Sequence, residues 1–143
     1  MSWCARDEAG SASIEAAIGV TAFALFVGLI IFGGRTAITH QSVEAAAADA
    51  ARSASIARTA GLAEEDARQA ATLSLAAQEI HCLNVAVHVD TGGFGTSVGQ
   101  PATVAVTVSC RLNLSDLSVP GVPGSRLIQA TITSPLDTWR ERS

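Results

Sequence analysis

The sequence predicts an α+β protein: a long N-terminal transmembrane helix, a second helix, and a small antiparallel sheet of about three strands. Three observations carry this. A single uncharged apolar run stands near the N-terminus, an alanine-rich stretch follows it, and from Cys82 onward apolar residues alternate with polar ones. The 143 residues suffice for one compact domain plus an anchor.

The apolar run reads AAIGVTAFALFVGLIIFGG, from Ala16 to Gly34, bounded by Glu15 and Arg35. As a helix it extends about 28 Å, close to the ~30 Å of a bilayer's hydrocarbon core. A buried core helix is the plain alternative, but a small domain has little room for a helix apolar on every side. A secretory signal peptide is the other alternative. Its apolar core is usually about 7–15 residues, followed by a small-residue cleavage site, a role open to Gly33 and Gly34. Arg6 and Arg35 flank the run on opposite sides, so positive-inside counting is close to a draw. The short leader and the later cysteines favour a cytoplasmic N-terminus and an extracytoplasmic C-terminal domain.

Formal charge is −4 and every basic residue is Arg, which leaves no basic footprint for nucleic acid. Alanine supplies most of the apolar content, and it favours helix and close helix approach. Thr36 to Arg58 should therefore continue the membrane helix into water, with Ile38, Val43 and Ile56 as its larger apolar residues. Asp49 and Arg52 are spaced i, i+3, which suits a solvated face. Gly61 reads as the helix stop. Glu64, Glu65 and Asp66 then form an acidic first turn for a second helix ending near Glu79. Glu64 and Arg68 stand at i, i+4 in the favourable order.

Leu83, Val85, Val87 and Val89 line one face of a strand, and Val104, Val106, Val108, Cys110 and Leu112 one face of another. The Gly-rich TGGFGTSVGQP between them implies a hairpin. A third strand is expected through Leu127–Thr133, after VPGVPGS, with an irregular tail from Pro135. Trp139 either docks or stays exposed.

Of the three cysteines, Cys4 precedes the apolar run, which leaves Cys82 and Cys110 as a possible disulfide in an oxidising compartment. Direct pairing of the valine faces sets Leu83 opposite Cys110 and turns Cys82 to the other face. The expected bridge therefore needs a bulge, or Cys82 just ahead of the strand.

No spacing supports catalysis. His81, Cys82, His88 and Cys110 fail as a zinc set, because adjacent ligands do not match the usual spacing. His40 reads as solvated. TGGFGTSVG lacks the Gly-Lys-Ser/Thr ending of a phosphate loop. There is no Ser-His-Asp or paired-carboxylate pattern. No metal and no cofactor is expected, and the protein is not expected to be an enzyme. Gly19 and Gly28 are too far apart for a GxxxG motif, but Gly28, Gly33 and Gly34 allow close helix contact.

Upstream of the run, Gly10 is followed by Ser11, Ala12, Ser13, Ile14 and Glu15. A Gly followed five residues later by Glu, directly before a single apolar helix, resembles a prepilin peptidase site. GSASIEAAIGVTAFALFVGLIIFGG followed by VEAAAADAARSASIARTAGL resembles the TadE-like pseudopilins of tight-adherence (Flp-type) pili, and CLNVAVHV, VAVTVSCRL and SPLDTWRER look like later parts of such chains. The resemblance implies a pilin-like fold, cleavage between Gly10 and Ser11, and Glu15 as the fifth mature residue. A carboxylate at the hydrocarbon edge is costly without a partner, and cleavage creates a cationic amine on Ser11. Glu15 of one subunit can then pair with that amine on its neighbour. Glu15 also suits a plain helix start.

Two departures stand out. Family leaders carry basic residues close to the cut, whereas Arg6 is followed here by Asp7, Glu8 and Ala9. Major Flp pilins have Glu-Tyr after the cut, whereas Glu15 is followed by Ala16 and the chain has no Tyr. This points to a minor pilin or assembly factor. The implied layout is a leader at 1–10, a membrane and assembly helix at 11–34, a helical stalk at 35–80 and an extracytoplasmic β-rich domain at 81–143. The implied partners are a prepilin peptidase, other pilin subunits, the assembly machinery and the membrane. Two rivals are a single-pass protein with an exported binding domain and no pilin processing, and a secreted domain released near Arg35.

Overall fold

The computed structural model describes residues 9–117, 121 and 123–139. Most of the expected leader therefore lies outside the described residues. Helix α1 runs unbroken over Ala9–Ile56, 48 residues or about 72 Å. It includes the whole apolar run, and its hydroxyl residues bond back into the helix. Thr21, Thr36 and Thr39 each donate to the carbonyl four residues earlier, at 2.8, 2.9 and 2.8 Å. That removes the cost of an unpaired hydroxyl in an apolar setting.

Helix α2 spans Ala60–Ala77. Here the structure corrects the sequence reading. α1 stops at Ile56, and Gly61 lies in the first turn of α2. Thr59 sets the boundary, because its extended backbone breaks the helix and its Oγ1 accepts from the Leu62 N–H at 3.2 Å. Such a cap satisfies one of the orphan donors of a helix start, a role Gly61 lacks the side chain to fill. Glu64, Glu65 and Asp66 consequently sit beyond the first turn. α2 ends in a Schellman motif: the Glu79 N–H donates to the Ala76 carbonyl and the Ile80 N–H to Leu75. Glu79 takes the left-handed position, at φ 55°. Glycine usually holds that position, and a side chain there costs about 1 kcal/mol.

The two helices meet through alanine. Ala46, Ala47, Ala50, Ala51 and Ala54 of α1 and Ala63, Ala67 and Ala71 of α2 are all fully buried. The α2 set recurs at strict i, i+4 spacing, so it forms one stripe. Methyl-sized side chains on both helices allow a close approach of the two backbones. Asp49 accepts from Ser74 Oγ at 2.8 Å, linking α1 to α2. Asp49 and Arg52 are both exposed, on the solvated face that their spacing suggests. Glu64 and Arg68 do pair, at 3.2 Å.

The sheet is antiparallel in the order β1-β2-β3, formed by Cys82–Asp90, Thr103–Asn113 and Ser125–Pro135. β3 is longer at both ends than the expected Leu127–Thr133, because it pairs with β2 along its full length. The helices cover one sheet face. Val104, Val106, Val108, Cys110 and Ile128 point into that core, as strand alternation dictates. The valine faces of β1 and β2 do meet, but Val85, not Leu83, lies opposite Cys110. Leu83 is the extra residue of a bulge between Cys82 and Asn84 and is 58% exposed. The bulge reorients Cys82, the change the expected bridge requires.

The TGGFGTSVGQP segment is more than a hairpin tip. Its Gly92–Gly95 turn lowers Phe94 into the core. Any Cβ on Gly93 would collide with the Thr103 carbonyl oxygen, so the turn closes only with glycine there. Leu136, also buried, donates its N–H to Ala102 at 2.9 Å and closes this end. Trp139 stays 83% exposed.

Candidate functional site

Two regions follow from this architecture: the bare segment of α1 and the end of the domain where that segment enters it. From Ala12 to Ile38 no α1 residue is buried, and the large apolar residues from Ile14 to Ile31 stand on every side of the helix. Nothing in the domain covers them. By length and composition this helix can cross a membrane. The first buried α1 residue is Thr39, and from Ser42 and Val43 the helix packs as an ordinary core element. One helix thus changes environment within two turns of Arg35.

Gly10 and Ser11 lie in the first turn of α1. Glu15 stands one turn after Ser11, exposed, with no ion pair among the described residues. One turn further on, Gly19 has no neighbour within 4 Å of where a Cβ would stand. Ile14, Glu15, Ile18 and Gly19 together line an open depression of about 510 Å³. The carboxylate is therefore flanked by an apolar notch, on the face that i, i+4 spacing gives both residues.

At the end of the domain where α1 enters it, Cys82 and Cys110 form a disulfide with a Cα–Cα distance of 5.4 Å. It staples the start of edge strand β1 to the central strand. Beside it, Asp116 follows β2 and accepts from Arg35 Nη1 at 2.7 Å. The Arg35 guanidinium holds the Asp116 carboxyl below its ordinary value. Sequence reasoning missed this pair, which joins residues 81 positions apart with no local spacing to announce it. Arg35, Asp116, Glu79 and His81 line one groove of about 560 Å³, together with exposed Ile38 and buried Leu112.

His40 is exposed on α1, and His88 is exposed on β1. No group of three or more His, Cys, Asp or Glu side chains is placed to hold a metal ion among the described residues.

The fold and the bare helix define a class: an α+β protein with a single N-terminal apolar anchor. Residues 10–52 match the family model described as TadE-like protein, in agreement with the resemblance seen in the sequence. The match begins at Gly10 and covers the anchor and most of the remainder of α1, whereas α2 and the sheet lie beyond it. No curated protein and no solved structure matches the chain significantly. The likeness is confined to those residues, less than a third of the chain.

Proposed function

We propose that this chain is a minor pilin, or pseudopilin, of a tight-adherence type pilus. A prepilin peptidase cuts after Gly10, and the mature chain joins other pilin subunits through its apolar helix. In this reading residues 1–10 are the leader, 11–34 the membrane and assembly helix, 35–80 the stalk and 81–143 the extracytoplasmic domain. The observation that carries the proposal is Glu15, exposed and without an ion pair among the described residues, at the head of a bare apolar helix, inside the segment that matches the TadE-like family.

The chemistry follows from the cost of that carboxylate. Drawn into a helical assembly, Glu15 loses water and needs a cation. The amine released on a neighbour's Ser11 is positive near neutral pH. The notch formed by Gly19 gives that chain end room to approach. Charge pairing then sets the register, while apolar contacts supply the area. The disulfide suits a domain outside the cytosol.

N-terminal sequencing of the membrane-recovered protein, with and without a prepilin peptidase, tests the reading. A peptidase-dependent start at Ser11 is expected. An intact Met1 in both cases would favour a single-pass protein whose exported domain binds a surface partner without pilin processing.

A further inference from the structure

The groove beside Arg35 lies where α1 leaves the apolar run, one residue past Gly34. If the run spans the hydrocarbon, the groove faces the lipid headgroups. Its lining has an unusual make-up for that depth. A cationic guanidinium and an imidazole stand with two carboxylates, beside apolar Ile38 and Leu112. The side chains of Arg35 and Asp116 remain 48% and 59% exposed despite their mutual bond, so both still present open faces. A guanidinium carries five N–H donors, and an imidazole offers an N–H in either tautomer.

We propose that this groove seats the headgroup of a zwitterionic phospholipid bearing a primary amine, its phosphate on Arg35 and His81 and its ammonium on Glu79 and Asp116. The proposal rests on the membrane-anchored reading. Charge complementarity selects the occupant. An anionic headgroup would meet two carboxylates with no cation of its own to offer them. A trimethylammonium group has no N–H to donate to them. A primary ammonium has three donors, and its phosphate supplies the oxygens that planar guanidinium recognition favours. The exposed Ile38 edge receives the glycerol end of the lipid.

The test uses the full chain in phosphatidylcholine vesicles, alone or doped with an equal share of phosphatidylethanolamine or phosphatidylglycerol. Vesicle flotation reports anchoring, and native mass spectrometry of the released protein reports retained lipid. Phosphatidylethanolamine should be enriched roughly tenfold over its share in the vesicle, in line with two or more charge-assisted hydrogen bonds. R35Q and D116N should each abolish the enrichment while the protein still floats and keeps its thermal transition. Flotation without enrichment overturns the headgroup site and leaves the anchor standing. Enrichment of phosphatidylglycerol instead, or enrichment that persists in both variants, also overturns it. Failure to float in any composition overturns the anchored reading and the site together.

Discussion

Arg35, the first charged residue after the apolar run, donates to Asp116 at 2.7 Å, across 81 positions of sequence. The bond joins the emerging helix to the segment just after β2. It ties the domain to α1 one turn before Thr39, the first buried residue of that helix.

The pair should depend on pH in one direction. Asp116 is held below its ordinary value by the Arg35 hydrogen bond. Its contribution is therefore complete above the pKa of the unfolded carboxyl, about 3.9, and is lost as pH falls through the lower folded value. Both groups are well exposed, so salt should weaken the pair as well. Spin labels at Ala37 and Ser125 should show a broadened distance distribution at low pH and at high salt. An unchanged distribution under both conditions would show that the bond does not hold the two parts together.

The disulfide closes a 28-residue separation between β1 and β2. Replacing Cys82 and Cys110 by Ser should lower unfolding stability by about 3 kcal/mol. Denaturant titration of oxidised wild type against the double variant measures this. β1 should loosen first, since it is an edge strand with Val85 and Leu83 already exposed.

The alanine seam leaves no space for larger residues. Ala50→Leu places three more carbons at a fully buried position of α1. A loss of about 1–3 kcal/mol is expected from overpacking. Thermal melting of the variant, compared with Ala37→Leu on the exposed side, separates packing from helix propensity.

Glu79 should behave in the opposite sense. Glycine at its left-handed position removes a penalty of about 1 kcal/mol, partly offset by the looser unfolded chain. Glu79→Gly should therefore raise the melting temperature or leave it nearly unchanged. A marked fall would mean that the carboxylate itself stabilises the domain.

Glu15→Ala should leave the domain's stability untouched, because the exposed carboxylate has no ion pair among the described residues. Under the proposed function, cleavage continues and pilus assembly drops. Full piliation in that variant would remove Glu15 from any role in subunit pairing.

The anchor, the alternating valines and the likelihood of a bulge at Cys82 were legible because each depends on local spacing. A run of uncharged residues or a period of two needs no tertiary information. The β1–β2 register differs by two residues from direct pairing of the valine faces, from Val85 to Val89, since hairpin register depends on the connecting turn, which alternation alone does not encode. Gly61 misled as a stop because Thr59, two residues earlier, offered the better cap. Phe94 passed as part of a turn, although the glycines around it are what let it reach the core. The Arg35–Asp116 pair was invisible for a different reason. It depends on β2 returning the chain to the level at which α1 enters the domain, and only the assembled sheet sets that level.

Helix α1 passes from the bare segment into the packed core as one continuous helix. Anchor and domain consequently share one stiff shaft. A tilt or rotation imposed at the apolar end is delivered to the sheet as the same tilt or rotation, and a lengthwise pull moves the whole body as a piston would.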